Sequence, residues 1–292
     1  MESIYGIVIL YNPDIAQVIE NINRYLPHIG RLMIWANSPV GDSDVLLGQL
    51  SDAGKVDFVQ SEENSGIPKP LNEAVRRARE GGFDFLLTMD QDSTWQNLPV
   101  YLEKARELRS KDSSVMITGP SIVESGDGKL PDDFNAPSGV RYDSYIITSG
   151  ALYDMKLFDE AGTFPEIYFI DAVDEEICLR AASRGYKYAL ISDGIMLHNF
   201  GKRSEHKLLG KTVVTHDYSE VRYYYTVRNH MWLIRCRRVP FGHKMKLLKL
   251  HVITSFARII LFEDNKKTKF SFAFRGLREG LSNKYRTEWE KC

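Results

Sequence analysis

The amino-acid sequence predicts an α/β fold in which a mostly parallel central sheet is flanked by helices and followed by a helical extension. Apolar, β-branched runs alternate with segments of helical periodicity, and polar clusters follow the ends of the runs. After about residue 200 the chain is rich in aromatic and basic residues. The length of 292 residues suits one large α/β domain, predicted over residues 1–205, and a helical region over residues 206–292.

The first strand and helix are the most regular part of the pattern. Residues 4–10 (IYGIVIL) form a continuous apolar run, which is typical of a parallel strand buried on both faces. A helix is predicted over residues 14–27, where Pro27 ends it. Its apolar stripe consists of Ile15, Val18, Ile19, Ile22 and Leu26.

Three further strands and one further helix follow. Strands are predicted over residues 31–35, 56–59 and 83–89, and a helix over residues 69–80 is closed by Gly81 and Gly82. Each strand runs into a polar cluster. Because ligands of such sheets bind beyond the carboxyl ends of the strands, these clusters are expected to share one binding edge.

Charge is divided unevenly along the chain. Residues 1–200 hold 17 lysines and arginines against 31 aspartates and glutamates, whereas residues 201–292 hold 21 against 8. This basic region favours an anionic partner such as a membrane surface, a lipid diphosphate or a nucleic acid, although the two parts can equally pack on each other. Helices are predicted over residues 221–233 and 244–262. The second suits an interfacial helix as well as an ordinary packed one.

Several classes of protein lack support in the sequence. The three cysteines are widely spaced and form neither a disulfide framework nor a zinc signature, which favours a cytoplasmic protein. No basic leader precedes the first strand, and no apolar run is long enough for a membrane helix. Phosphate-binding loops of the Walker and dinucleotide types, nucleophile elbows and nucleic-acid motifs are also missing.

The most informative short motif is Asp90-Gln91-Asp92, directly after the apolar strand FLLTM. Two carboxylates at the exit of a buried strand can hold a divalent cation that bridges them to a diphosphate, since Mg²⁺ and Mn²⁺ prefer oxygen ligands. His198 follows another apolar stretch and is a candidate third ligand. The alternatives are an ordinary acidic surface turn and a packed histidine.

A second acidic group lies between residues 171 and 176, where four of six residues carry carboxylates. Asp174 and Glu176 fall in the first turn of a predicted helix, where the helix dipole alone favours acidic residues. Crowded carboxylates also raise one another's pKa, as a general base requires. Asp174 is therefore the candidate base, with Asp171 and Glu176 as further candidate catalytic residues.

Taken together, these segments resemble the family 2 inverting glycosyltransferases and, within them, the bacterial rhamnosyltransferases of cell-surface polysaccharide synthesis. The resemblance implies a GT-A fold, a dTDP-rhamnose donor, a Mg²⁺ or Mn²⁺ ion and inversion at the anomeric carbon. One departure concerns Ala36, which stands where the family usually has an acidic residue. The segments that carry the resemblance are YNP (11–13), NSP (37–39), ENSGIPKPLNEAV (63–75), LLTMDQDS (86–93), TSGALY (148–153), FIDAVDEEICLRAASRGY (169–186), HNFG (198–201) and RYYYTVRNHMWL (222–233).

The resemblance also implies residue roles. Asp92, Asp90 and His198 are expected at the metal, and Ser149, Gly150, Arg228 and Trp232 on the acceptor side. The acceptor is expected to be a glycan or a lipid-linked glycan. Peripheral contact with the inner membrane surface and a homodimer are compatible with the resemblance, and a nucleic-acid partner is not expected. Residues expected around the nucleotide-sugar are Tyr11, Asn12, Asn37, Asn64, Lys69, Asn72, Asp90 and Gln91.

Three alternatives stay open beside this reading. The same fold can use a UDP-sugar of galactose, glucose or N-acetylglucosamine. It can also serve as a catalytically silent nucleotide-binding module, which the missing acid at Ala36 favours. A nucleotidyltransferase is the weakest alternative, since its glycine- and lysine-rich N-terminal signature is absent from the sequence.

Overall fold

The computed structural model describes residues 3–124, 130, 135, 138–142, 145–198, 204–208, 211–215 and 217–282. Contacts group the chain into two units. One contains the chain up to Phe164 and the stretch that begins at Ile177, and the other contains Pro165–Glu176 and the C-terminal part. The division predicted at residue 205 placed the acidic group with the first domain, whereas these contacts group Pro165–Glu176 with the second unit.

A mixed sheet forms the centre of the first unit. Its strands are β1 (Ile4–Leu10), β2 (Arg31–Ala36), β3 (Val56–Gln60), β4 (Phe85–Asp90), β5 (Ser93–Trp95), β6 (Val115–Glu124), β7 (Val140–Arg141), β8 (Leu152–Asp154) and β9 (Lys187–His198). Their order in the sheet is β3-β2-β1-β4-β8-β6-β9-β5, and β7 pairs with β9. The helices of this unit are α1 (Ile15–Tyr25), α2 (Ser43–Leu47), α3 (Pro68–Glu80), α4 (Leu98–Lys111), α5 (Met155–Ala161) and α6 (Val173–Ser183), whose first turn belongs to the second unit.

The parallel half of the sheet follows from the apolar runs. All seven residues of β1 are buried, because β1 lies between two parallel neighbours, β2 and β4, and carries helices on its faces. Helix α1 begins where the Asp14 carboxylate accepts a hydrogen bond from the backbone of Gln17. The carboxyl ends of β1, β2, β3 and β4 consequently lie along one edge, as the sequence predicted.

The other half of the sheet contains antiparallel strands that the sequence pattern does not reveal. The short strand β8 lies between β4 and β6 and is antiparallel to both. Strand β5, three residues long, is antiparallel to the end of β9 and places Ser93 opposite His198. This pairing sets the geometry of the candidate site described below.

The second unit is mainly helical. It contains the antiparallel strands β10 (Ser204–Leu208) and β11 (Lys211–Thr215). Its helices are α7 (Glu220–Arg235), α8 (Phe241–Leu247), α9 (Thr254–Leu261) and α10 (Lys266–Leu281), and a π-helical stretch, Leu248–Ile253, joins α8 to α9. In the described part of the chain, no helix is both long enough and apolar enough to cross a membrane.

Helices α7 and α10 pack closely because two glycines face α7. A Cβ atom at Gly276 would overlap the carbonyl oxygen of Tyr224, and one at Gly280 would lie 2.5 Å from the Cβ atom of Met231. Real Cβ atoms do not approach other atoms this closely in either case. The glycines therefore determine how closely the two helix backbones approach.

We expect Gly276→Ala to lower the free energy of unfolding by about 1–3 kcal/mol, because the cost of overpacking exceeds the roughly 1 kcal/mol that alanine gains in a helix. Urea denaturation followed by circular dichroism measures the change. The matched control is Gly242→Ala in α8, where a Cβ atom meets nothing within 4 Å and stability should be unchanged or slightly higher. Equal stability of the two variants would contradict this close packing.

Candidate functional site

The first unit brings together Asp90, Asp92 and His198, the three residues that the sequence suggested as metal ligands. Asp90 ends β4, Asp92 lies in the turn before β5, and His198 ends β9. One ligand atom from each residue lies within 4.8 Å of the others. Asp90 and Asp92 are half-buried and His198 is buried. We call this group the D-x-D cluster.

Two buried serines orient the D-x-D cluster. The hydroxyl of Ser93 lies 2.6 Å from Nδ1 of His198 and 2.6 Å from the hydroxyl of Ser149. The Ser149 hydroxyl in turn accepts a hydrogen bond from the backbone of Asp90 at 3.4 Å. Oδ1 of Asp92 lies 3.5 Å from Nδ1 of His198. The two serines thus link the imidazole to the backbone of Asp90, and the Asp92 carboxylate lies beside the same imidazole.

The residues of this group fit a divalent cation. Two carboxylates and an imidazole are a donor set that suits Mn²⁺ and is compatible with Mg²⁺, which usually takes one or two carboxylates and completes its shell with water and phosphate oxygens. The hydrogen bonds of Ser93 and Ser149 resemble the outer-shell contacts that orient metal ligands. Sequence reasoning did not assign Ser93, although this residue directly follows the D-x-D motif.

The residues expected around the donor lie at the same edge of the sheet. The side chain of Gln91 accepts a hydrogen bond from the backbone N–H of Tyr11 at 2.8 Å and donates one to the Tyr11 carbonyl at 3.1 Å. The backbone of Asn12, at a positive φ of 48°, donates to the Ser38 hydroxyl. Gln91 therefore fastens the loop after β1 to the D-x-D turn.

Asn37 and Asn64 shape the neighbouring loop after β3. The Asn37 amide donates to the carbonyl of Gly66 at 2.9 Å, and its oxygen accepts hydrogen bonds from the backbone and hydroxyl of Ser65. Oδ1 of Asn64 accepts from the backbone of Gly66 at 3.0 Å. These two asparagines hold the loop in place at the edge where the other expected donor residues lie.

Lys69 and Asn72 lie on α3 and differ in their surroundings. Lys69 is exposed near the start of the helix. Asn72 is half-buried, and its amide group both donates to and accepts from the backbone of Phe164, at 2.9 and 2.8 Å. The contacts of Asn72 therefore join α3 to the segment at Phe164. Gly150 has a positive φ of 76° and, with Ser149, belongs to the turn that precedes β8.

In the second unit, residues 167–176 form what we call the acidic segment. Its backbone has positive φ values at three residues that are not glycine: Phe169 at 62°, Asp171 at 62° and Ala172 at 63°. Such conformations cost free energy in residues with a side chain and persist only where surrounding contacts impose them. The acidic segment is therefore held in place by its neighbours.

Helix α7 supplies the contacts that hold the acidic segment. The Asn229 amide group donates to the carbonyl oxygens of Tyr168, Ile170 and Asp171 at 2.9, 2.7 and 3.0 Å. The Asp171 carboxylate accepts from the Thr226 hydroxyl at 2.7 Å and from Arg222 at 3.3 Å. Both oxygens of Asp171 thus contact α7, and this carboxylate contributes to holding the segment.

Arg228 and Trp232, predicted on the acceptor side, are buried in the same part of α7. The guanidinium of Arg228 donates to the carbonyl of Ile167 at 2.6 Å and lies 4.3 Å from the centre of the Trp232 ring. Trp232 stacks on Tyr168. The structure places both side chains in packing that supports the acidic segment.

Asp174 lies in the first turn of helix α6 and is half-buried. Burial raises the pKa of its carboxyl group to about 7, and the negative charges of Glu175 and Asp171 act in the same direction. A carboxylate with such a pKa can accept a proton near neutral pH. The neighbouring carboxyl group of Glu176, also a candidate from the sequence, is buried.

Glu175 forms a buried ion pair that sequence reasoning missed. Oε2 of Glu175 lies 3.0 Å from Nε2 of His230, and Nδ1 of His230 lies 2.6 Å from the carbonyl oxygen of Thr226. Both ring nitrogens face acceptors, an arrangement that favours the doubly protonated, positively charged imidazolium of His230. Burial lowers the pKa of His230, but the hydrogen bond and charge of Glu175 outweigh it and raise the pKa above its ordinary value.

His251 completes this group as a neutral ring. It stacks on His230 with ring centres 3.8 Å apart and planes 4° from parallel. Burial and the charge of His230 lower the pKa of His251 to about 4. Glu175, His230 and His251 offer ligand atoms within 4.8 Å of one another, but one cation cannot lie in two parallel ring planes. The group is therefore an ion pair with a stacked neighbour.

Comparisons with known proteins agree with the fold. The dTDP-rhamnosyl transferase RfbF of Shigella flexneri is 27% identical over 285 residues, covering 92% of this chain and 91% of RfbF. No family model matches the chain.

Solved structures give the same result at lower sequence identity. TarS 1–349 of S. aureus in complex with UDP-GlcNAc is 15% identical, with a TM-score of 0.61 over 96% of this chain and 82% of that one. The mannosyltransferase PcManGT of Pyrobaculum calidifontis, in complex with GDP-Man and Mn²⁺, is 17% identical, with a TM-score of 0.58 over 94% and 74% of the two chains. The predicted GT-A fold is confirmed, and the likenesses support a glycosyltransferase.

Proposed function

We propose that this chain, which has the GT-A fold of glycosyltransferases, is a metal-dependent inverting enzyme of family 2 that transfers rhamnose from dTDP-rhamnose. The proposed acceptor is a glycan or lipid-linked glycan of cell-surface polysaccharide. The observation that carries the proposal is the convergence of Asp90, Asp92 and His198 at the carboxyl ends of the strands, the edge where α/β sheets bind ligands. The 27% identity to a dTDP-rhamnosyl transferase supports the choice of sugar.

The proposed chemistry divides into two roles. Asp90, Asp92 and His198 would hold the cation, which when bound neutralises the charge on the departing nucleoside diphosphate. Asp174, with its pKa of about 7, takes the proton of the acceptor hydroxyl. That hydroxyl oxygen attacks the anomeric carbon opposite the diphosphate, the bond to the diphosphate breaks, and the configuration inverts.

A UDP-sugar donor is the second candidate. Ala36 stands at the end of β2, at the position where the family usually has an acidic residue, and TarS is seen with UDP-GlcNAc. The two candidates share the fold and the D-x-D cluster. They differ in the nucleotide base.

Nucleotide preference distinguishes the two candidates. We expect dTDP with Mn²⁺ to raise the melting temperature more than UDP or GDP does, because at equal concentration the nucleotide that binds most tightly stabilises the native state most. A ligand at a hundred times its dissociation constant adds about 2.7 kcal/mol of stability. Differential scanning fluorimetry of the three nucleotides at equal concentration measures this. A larger shift with UDP would favour the second candidate, and binding without transfer or donor hydrolysis would favour a catalytically silent module.

We place the enzyme in the cytoplasm. The three cysteines of the sequence are widely spaced and suggest no disulfide framework, which suits a reducing compartment.

A further inference from the structure

An unusual apolar surface lies on the helix that runs from Phe241 to Leu261, which we call the basic helix. It is continuous, because Leu248 and Thr254, which join α8, the π-helical stretch and α9, both have right-handed helical backbone angles. Its inner side is buried through Leu247, Val252 and Ile259. Val252 and Ile259 belong to the core cluster of the second unit.

The outer side of the basic helix is also apolar. Phe241 is 77% exposed, Met245 47%, Ile253 57% and Leu261 51%. These four residues are separated by four or eight positions, so they follow one stripe along the helix. Leu250 and Ile260 are likewise exposed beside the stripe. A helix with only one packed side is expected to present mainly polar residues to water, whereas this one also exposes six large apolar side chains.

The charges on this surface have one sign. Between residues 241 and 262 the sequence contains four lysines and arginines and no aspartate or glutamate. Lys246 and Lys249 are exposed next to the apolar stripe. The neighbouring helix α10 continues the pattern, since Phe270 and Phe274 are 41% and 55% exposed one helical turn apart. Exposed apolar side chains are thus interleaved with cations.

We propose that the basic helix and the adjoining face of α10 dock the protein on the surface of a membrane that contains anionic lipids. The apolar stripe enters the boundary of the acyl chains, and the lysines contact lipid phosphates, as in interfacial amphipathic helices. A second copy of the chain fits this face poorly, because a two-fold contact would bring two surfaces of the same positive charge together. The proposal is independent of the donor and of the reaction.

Vesicle binding tests the proposal. The full-length protein is sedimented with vesicles of phosphatidylcholine alone and of equal parts phosphatidylcholine and phosphatidylglycerol. We expect binding to the anionic vesicles only, weakening as salt screens the lysines. The double variant Phe241→Ser/Ile253→Ser should bind at least about tenfold more weakly, since it removes two large apolar side chains from the bilayer boundary.

A matched control separates docking from general hydrophobicity. Val45→Ser/Val100→Ser removes two valines of the first unit that are 58% and 40% exposed, and it should bind like the unaltered protein. Lys246→Glu/Lys249→Glu should lose binding to anionic vesicles. Circular dichroism and melting temperature verify that each variant folds.

Two results would overturn the proposal. One is absence of binding of the unaltered protein to anionic vesicles. The other is undiminished binding of Phe241→Ser/Ile253→Ser. Light scattering after size-exclusion chromatography adds a separate outcome: a dimer that this variant abolishes, together with no vesicle binding, would assign the face to a second copy instead.

Discussion

Replacing Asp92 by alanine is expected to reduce sugar transfer by about 10³-fold or more. The carboxylate is one of two in the D-x-D cluster, and its oxygen lies 3.5 Å from Nδ1 of His198. Charge stabilisation by a bound cation contributes several kcal/mol to a transition state, and about 4 kcal/mol corresponds to 10³-fold in rate. Steady-state measurement of nucleoside diphosphate release from the donor, with acceptor present, gives the ratio of kcat/KM values.

A second readout ties this loss to the metal. Titration with Mn²⁺ should stabilise the unaltered protein against heat and leave Asp92→Ala nearly unaffected, because anything that binds the native state alone raises its stability. The matched control is Asp52→Ala, which removes an exposed aspartate of the first unit that forms an ion pair with Lys55. It should retain activity and the response to Mn²⁺. Full transfer by Asp92→Ala would refute the proposed metal site.

The Asp174→Asn variant is expected to lose about 10²–10⁴-fold in kcat, the range that general base catalysis contributes. The unaltered enzyme should gain activity as the pH rises through about 7 and then reach a plateau, since only the deprotonated carboxylate accepts a proton. The residual activity of the variant should lack this rise. Asp264→Asn, a change of an exposed aspartate in the same unit, should keep both the rate and the pH profile.

The same substitution should stabilise the protein at alkaline pH. The pKa of Asp174 lies near 7 in the folded chain and near 3.8 without the fold, so the folded state favours the protonated form. The stability that this group contributes is complete below the unfolded value and is lost as the pH rises through 7. Asparagine avoids that loss, and its amide oxygen can still accept the hydrogen bond from the backbone of Glu175.

We therefore expect the free energy of unfolding of Asp174→Asn to exceed that of the unaltered protein by about 1–3 kcal/mol at pH 8, and by less at pH 5. Urea denaturation at the two pH values measures both. Lower stability of the variant at pH 8 would show that the Asp174 carboxylate is not destabilised by burial.

Sequence patterns predict those site residues whose position depends only on the end of one predicted strand. The apolar runs of β1 and β4 identified buried parallel strands, and the polar residues after them had to lie at one edge. Asp90, Asp92 and His198 were grouped on this reasoning, and the structure brings them together. Whether they bind a metal stays a prediction.

The other features of the site and fold could not be predicted, because they depend on contacts between residues far apart in the sequence. The position of Ser93 opposite His198 depends on a strand of three residues that pairs across more than 100 positions of the chain. The three contacts of Asn229 to the acidic segment likewise join residues about 60 positions apart. Helix α10 lacks a clear apolar stripe, because glycines take the positions that face α7. None of these features leaves a periodic signal in the sequence.

The left-handed residues of the acidic segment have a consequence for binding. Phe169, Asp171 and Ala172 adopt unfavourable backbone angles, and α7 holds them there through contacts within the chain. The conformational entropy of this stretch is therefore lost during folding. Under the proposed function, an acceptor sugar would meet carboxylates that are already oriented, so more of its contact energy would be retained as affinity.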